Sequence, residues 1–272
     1  LMCGRCEAAC PVDLRLNALR LSQRSDYTRI TKNTYDYVPA TPVRQAKIAY
    51  FAGCMGHLTP QVIQSIRFIF GKAGIDYTFI DEGGGICCGR PMMLSGNHNA
   101  ATAIIEKNKT YIKNSGATLL VTSCPICYKT FKEDYQLDIQ VMHHTEYINL
   151  LIQEKVLQPR QSELKTVFHN PCELGRGCDV YAAPEEILKT VSRKLTTAYD
   201  GKKSLCCGGS LANNYLTNIQ RTQLSLDTLN AYLAYKPDVL VTACPLCKKT
   251  FSKSDSQVPV KDIAEVVAQA IG

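Results

Sequence analysis

Two copies of one cysteine pattern fill most of this 272-residue chain, and that repeat limits its fold more than any other feature. Cys54 is followed by Cys87-Cys88 and then by Cys124-Pro125-Ile126-Cys127. Cys172 is followed by Cys206-Cys207 and then by Cys244-Pro245-Leu246-Cys247, and matching positions lie 118 to 120 residues apart. The neighbours repeat too. Cys-Cys-Gly at 87–89 returns at 206–208, Leu120-Val121-Thr122 returns as Leu240-Val241-Thr242, and Lys129-Thr130-Phe131 returns as Lys249-Thr250-Phe251. Chance does not align so many positions, so the pattern predicts duplication of a unit of about 110 residues.

Each unit reads as alternating strand and helix. In the first, residues 47–52 form a short apolar strand ending at Gly53-Cys54, residues 60–72 carry helical periodicity up to Gly74, and 77–80 form a second strand. A long helix at 98–114 follows, then a strand at 118–123, with Cys124-Pro125 opening another helix. The second unit predicts a strand at 166–169, a helix at 184–194, a weaker strand near 196–199, a helix at 213–235 and a strand at 239–243. Strands separated by helices predict an α/β chain: two tandem units, each a small parallel sheet flanked by helices. The cysteines then fall at the carboxyl ends of strands, the usual binding edge of such sheets. The expected divisions are an N-terminal segment at 1–23, a linker at 24–45, and units at 46–157 and 165–272, joined through 155–165.

With 45% hydrophobic and 20% charged residues, the chain can bury a core, and no apolar run approaches the roughly 18 residues that span a bilayer. The first residues lack the basic flank and apolar stretch of a signal peptide, and position 1 is Leu, so a cut or processed cytoplasmic chain is expected. A peripheral place at the inner face of a membrane fits the same features. The formal charge of +7 is spread without a dense basic run, which argues against nucleic acid. It suits a body that offsets anionic groups or attracts an acidic redox partner. Fourteen cysteines in so long a chain, several of them adjacent, do not resemble the short, Cys-dense disulfide scaffolds; metal or redox chemistry is the better expectation.

Cys3-x2-Cys6-x3-Cys10-Pro11 matches the tail of the bacterial ferredoxin pattern, whose first cysteine would immediately precede Leu1. In two-cluster ferredoxins the last cysteine of that pattern serves the other cluster. The segment is expected to be a partial cubane motif, with adventitious zinc as its alternative. Five thiolates per repeat exceed the four that tetrahedral zinc takes, and also exceed an ordinary four-cysteine cluster. Cys178 lies outside the repeat and is expected to be a free thiol. His57 and His169 each lie three residues from a repeat cysteine, where a histidine can deliver a proton or hydrogen-bond a cluster. An ordinary structural role is the alternative for both, as for His143 and His144. Gly83-Gly84-Gly85 lacks the Lys-Ser/Thr of a phosphate loop, so close approach to the metal site explains it better. Arg90, Arg176, Lys248 and Lys249 flank repeat cysteines and either moderate their charge or sit in solvent.

At these residues the chain resembles the cysteine-rich CCG domains of the heterodisulfide reductase family. The gaps of 32 and 35 residues in the first copy, and of 33 and 36 in the second, are those of the family, and His169-Asn170-Pro171-Cys172-Glu173-Leu174-Gly175-Arg176-Gly177 is similar to its second-copy signature. The likeness covers about residues 46–272. A departure falls at Ser210, where the family often continues with glycine. The family includes iron–sulfur subunits of anaerobic glycerol-3-phosphate dehydrogenase, glycolate oxidase and lactate-utilisation systems. The resemblance implies a noncubane [4Fe-4S] assembly in each copy, held by Cys54, Cys87, Cys88, Cys124 and Cys127 and by Cys172, Cys206, Cys207, Cys244 and Cys247, with zinc or a simpler cluster at one copy in some members.

Three functions follow as expectations. The first is an electron-transfer subunit of a flavin-dependent dehydrogenase, passing electrons toward quinone or another acceptor. The second is a catalytic unit that reduces a disulfide or heterodisulfide at paired clusters. The third is a zinc-stabilised interaction module.

Overall fold

The computed structural model describes residues 2–27, 43–209, 216–254 and 256–272. Most of the expected linker, Ser210 and the start of the expected 213–235 helix lie outside these residues. Two short helices, α1 (Arg5–Ala8) and α2 (Leu16–Tyr27), form the N-terminal segment. The first unit runs β1 (Ile48–Phe51), α3 (Cys54–His57), α4 (Pro60–Lys72), β2 (Tyr77–Phe79), α5 (Arg90–Leu94), α6 (His98–Asn114), β3 (Leu119–Thr122), α7 (Pro125–Glu133), β4 (Gln140–His143) and α8 (His144–Gln153). The second repeats it as β5 (Lys165–His169), α9 (Gly175–Cys178), α10 (Ala182–Val191), β6 (Arg193–Lys194), α11 (Asn218–Leu233), β7 (Val239–Thr242), α12 (Pro245–Ser252), β8 (Val260–Asp262) and α13 (Ile263–Ile271).

All strands are parallel, in the orders β2-β1-β3-β4 and β6-β5-β7-β8. Their near-continuous apolar runs are what a sheet covered on both faces requires. Ala49, Tyr50 and Phe51 are buried in β1, and every residue of β7 is buried. The α4 helix begins at Pro60, whose missing N–H costs nothing in a first turn, and turns Val62, Ile66, Ile69 and Phe70 inward on one face. It stops at Gly74, whose φ of 65° suits glycine, and Ile75 N–H then bonds the Phe70 carbonyl.

Chain order and spatial order part company between β1 and β3, and again between β5 and β7. Such a switch point leaves a crevice at the carboxyl edge of the sheet. Cys54 follows β1 and Cys124 follows β3, so both flank the first crevice; Cys172 and Cys244 flank the second.

Two expectations need correction. The weak strand near 196–199 is instead β6 at Arg193–Lys194, and the helix expected to reach 194 ends at Val191. The Ser192 hydroxyl donates to the Leu188 carbonyl and also meets Thr166, while Arg193 N–H bonds Leu164, just before β5. Sheet pairing thus captures the chain earlier than its apolar pattern indicates.

The units share their interior. One apolar cluster joins Phe51, Leu120 and Phe131 to Leu240, Leu246 and Phe251, and another joins Tyr50, Ile66 and Ile148 to Ile187, Val241 and Ile263. Helix α4 packs on α13 and its repeat counterpart α10 packs on α8, the counterpart of α13, while α8 also touches α13. Reciprocal contacts of this kind define a pseudo-twofold axis. Across it, His144 Nε2 lies 3.0 Å from Asp262 Oδ1, both fully buried. Among the described residues no helix is long and apolar enough to cross a membrane.

Candidate metal centre

Each repeat cysteine is delivered by a backbone device. Cys124 and Cys244 are extended N-cap residues, followed by Pro at the first helical position of α7 and α12. That arrangement aims unpaired N–H groups at the sulfur, and those of Ile126 and Cys127 stabilise the Cys124 thiolate. Gly53 has φ 78° and ψ 157°, and a Cβ there would stand 2.9 Å from Cys127 Sγ, so only glycine leaves the crevice open. Asp81, at the end of β2, accepts from Ala52 N–H at 2.9 Å and Gly53 N–H at 2.8 Å and fixes the turn that presents Cys54. Behind the Cys-Cys pair, Asn108 donates to the Cys87 carbonyl and Tyr135 to the Cys88 carbonyl; Thr228 donates to the Cys206 carbonyl in the second unit.

The ten repeat thiols meet in file. Cys54 contacts Cys87, Cys88 contacts both Cys87 and Cys127, and Cys127 contacts Cys124. Cys124 then reaches across the pseudo-twofold axis to its own counterpart, Cys244. From there the row continues through Cys247 and Cys207, the last two 3.3 Å apart, to Cys206 and Cys172. Each repeat thus brings its five cysteines together, and the two sets touch. No three His, Cys, Asp or Glu side chains among the described residues close on a single metal-ion position. All five thiols of the second set line one small pocket, with Pro171, Glu173 and Leu246, and Ile126 from the first unit.

Protons are unevenly shared along the file. Cys88 is pulled down to about 5 because the Cys127 and Cys87 thiols donate to it. Cys124 and Cys207 fall well below the usual thiol range, the first through Cys127 and Cys244, the second through Cys206 and Cys247. Each set therefore contains a preferred thiolate, the form in which cysteine binds metal. These soft, anionic, clustered donors fit an iron–sulfur group.

The N-terminal cysteines separate. Cys3 joins the row beside its last member, its thiol against Cys206. Cys6 is exposed, and Cys10 is half-buried and accepts from Leu14 N–H; neither joins the row. Cys178 stays outside it, raised to about 12 by burial near Lys129 and Glu173. Of the flanking cations, Arg176 donates to the carbonyls of Cys3, Lys202 and Ser204, Arg90 pairs with Asp134 and Glu133, and Lys248 is buried against Glu265, so none of the three is a solvated surface charge. His169 is fully buried, bonded to Thr242 Oγ1 and the Leu205 carbonyl, and burial lowers it to about 4. It is a structural group. His57 keeps an exposed edge and lies against Asp81.

Sequence reasoning missed Asp81 and Glu173. The signal for Asp81 was its place directly after a strand, at the binding edge. Glu173 could have been noticed as the residue following Cys172, but its partner, Lys129 at 3.8 Å, comes from the other unit.

A doubled, parallel α/β body with five thiols at each switch point defines a class of tandem cysteine-rich proteins. The chain belongs to the CCG cysteine-rich domain family, which matches residues 48–132 and 166–252. It is similar to a dihydromethanophenazine:CoB–CoM heterodisulfide reductase polypeptide of Methanosarcina acetivorans, 29% identical over 84% of this chain and 60% of that protein. It is also similar to a probable iron–sulfur-binding oxidoreductase of Bacillus subtilis, 24% identical over 84% of this chain and 34% of the relative. An EtfAB:quinone oxidoreductase of Syntrophomonas wolfei is 24% identical over 81% of this chain and 34% of its own length. The chain therefore spans between a third and three fifths of these relatives.

Proposed function

We propose that the ten repeat cysteines hold two noncubane [4Fe-4S] clusters, five thiolates to each, and that the chain carries electrons between a flavin-containing dehydrogenase subunit or domain and an acceptor. The gathering of the repeat thiols carries this reading: all five of the second set line one pocket, with Cys207 and Cys247 3.3 Å apart. A bound cluster supplies one-electron redox chemistry. The chain's own part is to keep successive groups close, to exclude water with Ile126, Leu246 and Phe131, and to offset anionic charge with helix N-termini and Lys129. A donor set spread along a row suits a several-iron group better than one zinc, which gathers four ligands about a point. Cys3 lies against Cys206, so a cluster on the ferredoxin-type segment, whose ligand candidates are Cys3, Cys6 and Cys10, would stand beside the second set, and that set would adjoin the first at Cys244 and Cys124.

Anaerobic reconstitution followed by iron and sulfide counting tests the reading. About four irons per repeat, with paramagnetic signals on reduction, are expected; protein that takes up zinc alone, or no sulfide, overturns it. Cys244→Ser should remove the second set's signal and leave the first set's. A second reading, reduction of a disulfide between the two sets, is favoured by the direct meeting of Cys124 with Cys244. Loss of disulfide turnover in Cys206→Ser would support it, and equal rates would reject it.

A further inference from the structure

Each unit carries a basic side chain shortly after its first cysteine. His57 follows Cys54 by three residues and closes α3, whereas Arg176 follows Cys172 by four, on α9. Arg176 is committed to the N-terminal segment: its Nε donates to the Cys3 carbonyl at 2.7 Å. Among the described residues His57 holds no such segment. Its side chain is 23% exposed, and its Nε2 lies 3.3 Å from Oδ2 of the fully buried Asp81. The ring stacks at 15° on Phe79, and Nδ1 faces Gly84 in the loop that leads to Cys87. Cys54 opens and His57 closes the single turn of α3.

We infer that His57 donates a proton to an organic acceptor reduced at the first thiol set, with Asp81 as the residue that positions its ring. This rests on the electron-transfer reading above. The acceptor class is a molecule whose reduced atom must be protonated, either a quinone oxygen or a disulfide sulfur. A quinone takes two electrons and two protons, and its two C=O groups become C–OH. A disulfide takes the same number, its S–S bond breaks, and two thiols leave. The electrons come from the reductant that loads the chain, a flavin-dependent dehydrogenase or, in the test, titanium(III) citrate. One proton leaves His57 Nδ1 while Nε2 keeps its place against Asp81 Oδ2. Water at the exposed edge supplies the second proton and reprotonates Nδ1.

The surroundings agree with that role. Asp81 holds the imidazole's proton affinity above its ordinary range. Arg67 opposes it, but Arg67 is paired with Glu82 at 2.5 Å. His169, the other histidine beside a thiol set, is sealed and held neutral. Burial of a carboxylate behind a half-exposed imidazole is the usual means of orienting a proton donor.

Two measurements test the inference. In the metal-free protein, the His57 ring proton signal should titrate above an ordinary histidine, and Asp81→Asn should move it down. An unshifted His57 removes the role of Asp81. In the reconstituted protein, reduced by titanium(III) citrate, reoxidation is followed with a short-chain quinone, with an aromatic disulfide, and with ferricenium, which takes one electron and no proton. His57→Gln should lower the ratio of the quinone or the disulfide rate to the ferricenium rate at least tenfold, and imidazole should partly restore it in His57→Ala. The arm that falls identifies the acceptor. Asp81→Asn should shift the alkaline limb of that ratio to lower pH. An unchanged ratio in His57→Gln with full iron content overturns this inference alone; absence of iron in the wild type overturns the reading beneath it.

Discussion

At the scale of single residues, the site depends on positions where a side chain would be in the way. Gly53 combines a backbone conformation closed to other residues with a Cβ position 2.9 Å from Cys127 Sγ. Gly53→Ala is therefore expected to cost about 1–3 kcal/mol in strain and to lower the iron bound by the first set, leaving that of the second. Guanidinium melts of the metal-free protein, with iron counts on the reconstituted one, check both. The cysteines were legible in the sequence because chemistry named them: thiols in pairs, repeated at one spacing. Asp81 was not, because a buried carboxylate shows its purpose only when the N–H groups of Ala52 and Gly53 come to it from another strand. His57 and His169 looked alike for the same reason. Each stood three residues from a cysteine, and only burial and partners tell them apart.

At the scale of elements, matching helices end in matching ways. His143 with Glu146 forms a capping box on α8, and Asp262 with Glu265 forms its counterpart on α13. Glu265 has a second duty, since its carboxylate also neutralises buried Lys248 on α12. Glu265→Ala leaves that ammonium unpaired and opens the cap, so a loss of about 3 kcal/mol is expected. Lys248→Met combined with Glu265→Gln should lose clearly less than Glu265→Ala alone, as a double-mutant cycle by chemical denaturation would read. Strong periodicity made α4 and α6 legible, and Pro after Cys marked the starts of α7 and α12. The short β6 strand was misplaced because its two residues, Arg193 and Lys194, carry no apolar signal; their place is set by pairing with β5.

At the scale of the whole molecule, both apolar clusters draw on both units. Neither half closes its own interior, so the metal-free chain is expected to unfold in one step. Tyrosine fluorescence, with 14 Tyr and no Trp in the chain, and far-ultraviolet circular dichroism should give coincident guanidinium transitions. Two separated transitions would show units that stand alone. The repeat made the existence of two units legible, but not their mutual placement. No spacing in the sequence announces that Cys124 and Cys244 touch, or that Cys3 lies against Cys206, because those contacts follow from helix faces meeting across the axis.

The sulfur contact between Cys124 and Cys244 joins two residues descended from one. A single-unit forebear that paired with an identical copy would have brought that residue against itself, on the symmetry axis of a homodimer. Fusing the two genes kept the junction and freed the rest. From then on the halves were able to diverge, and the second came to hold the N-terminal segment through Arg176 and the Cys3 carbonyl.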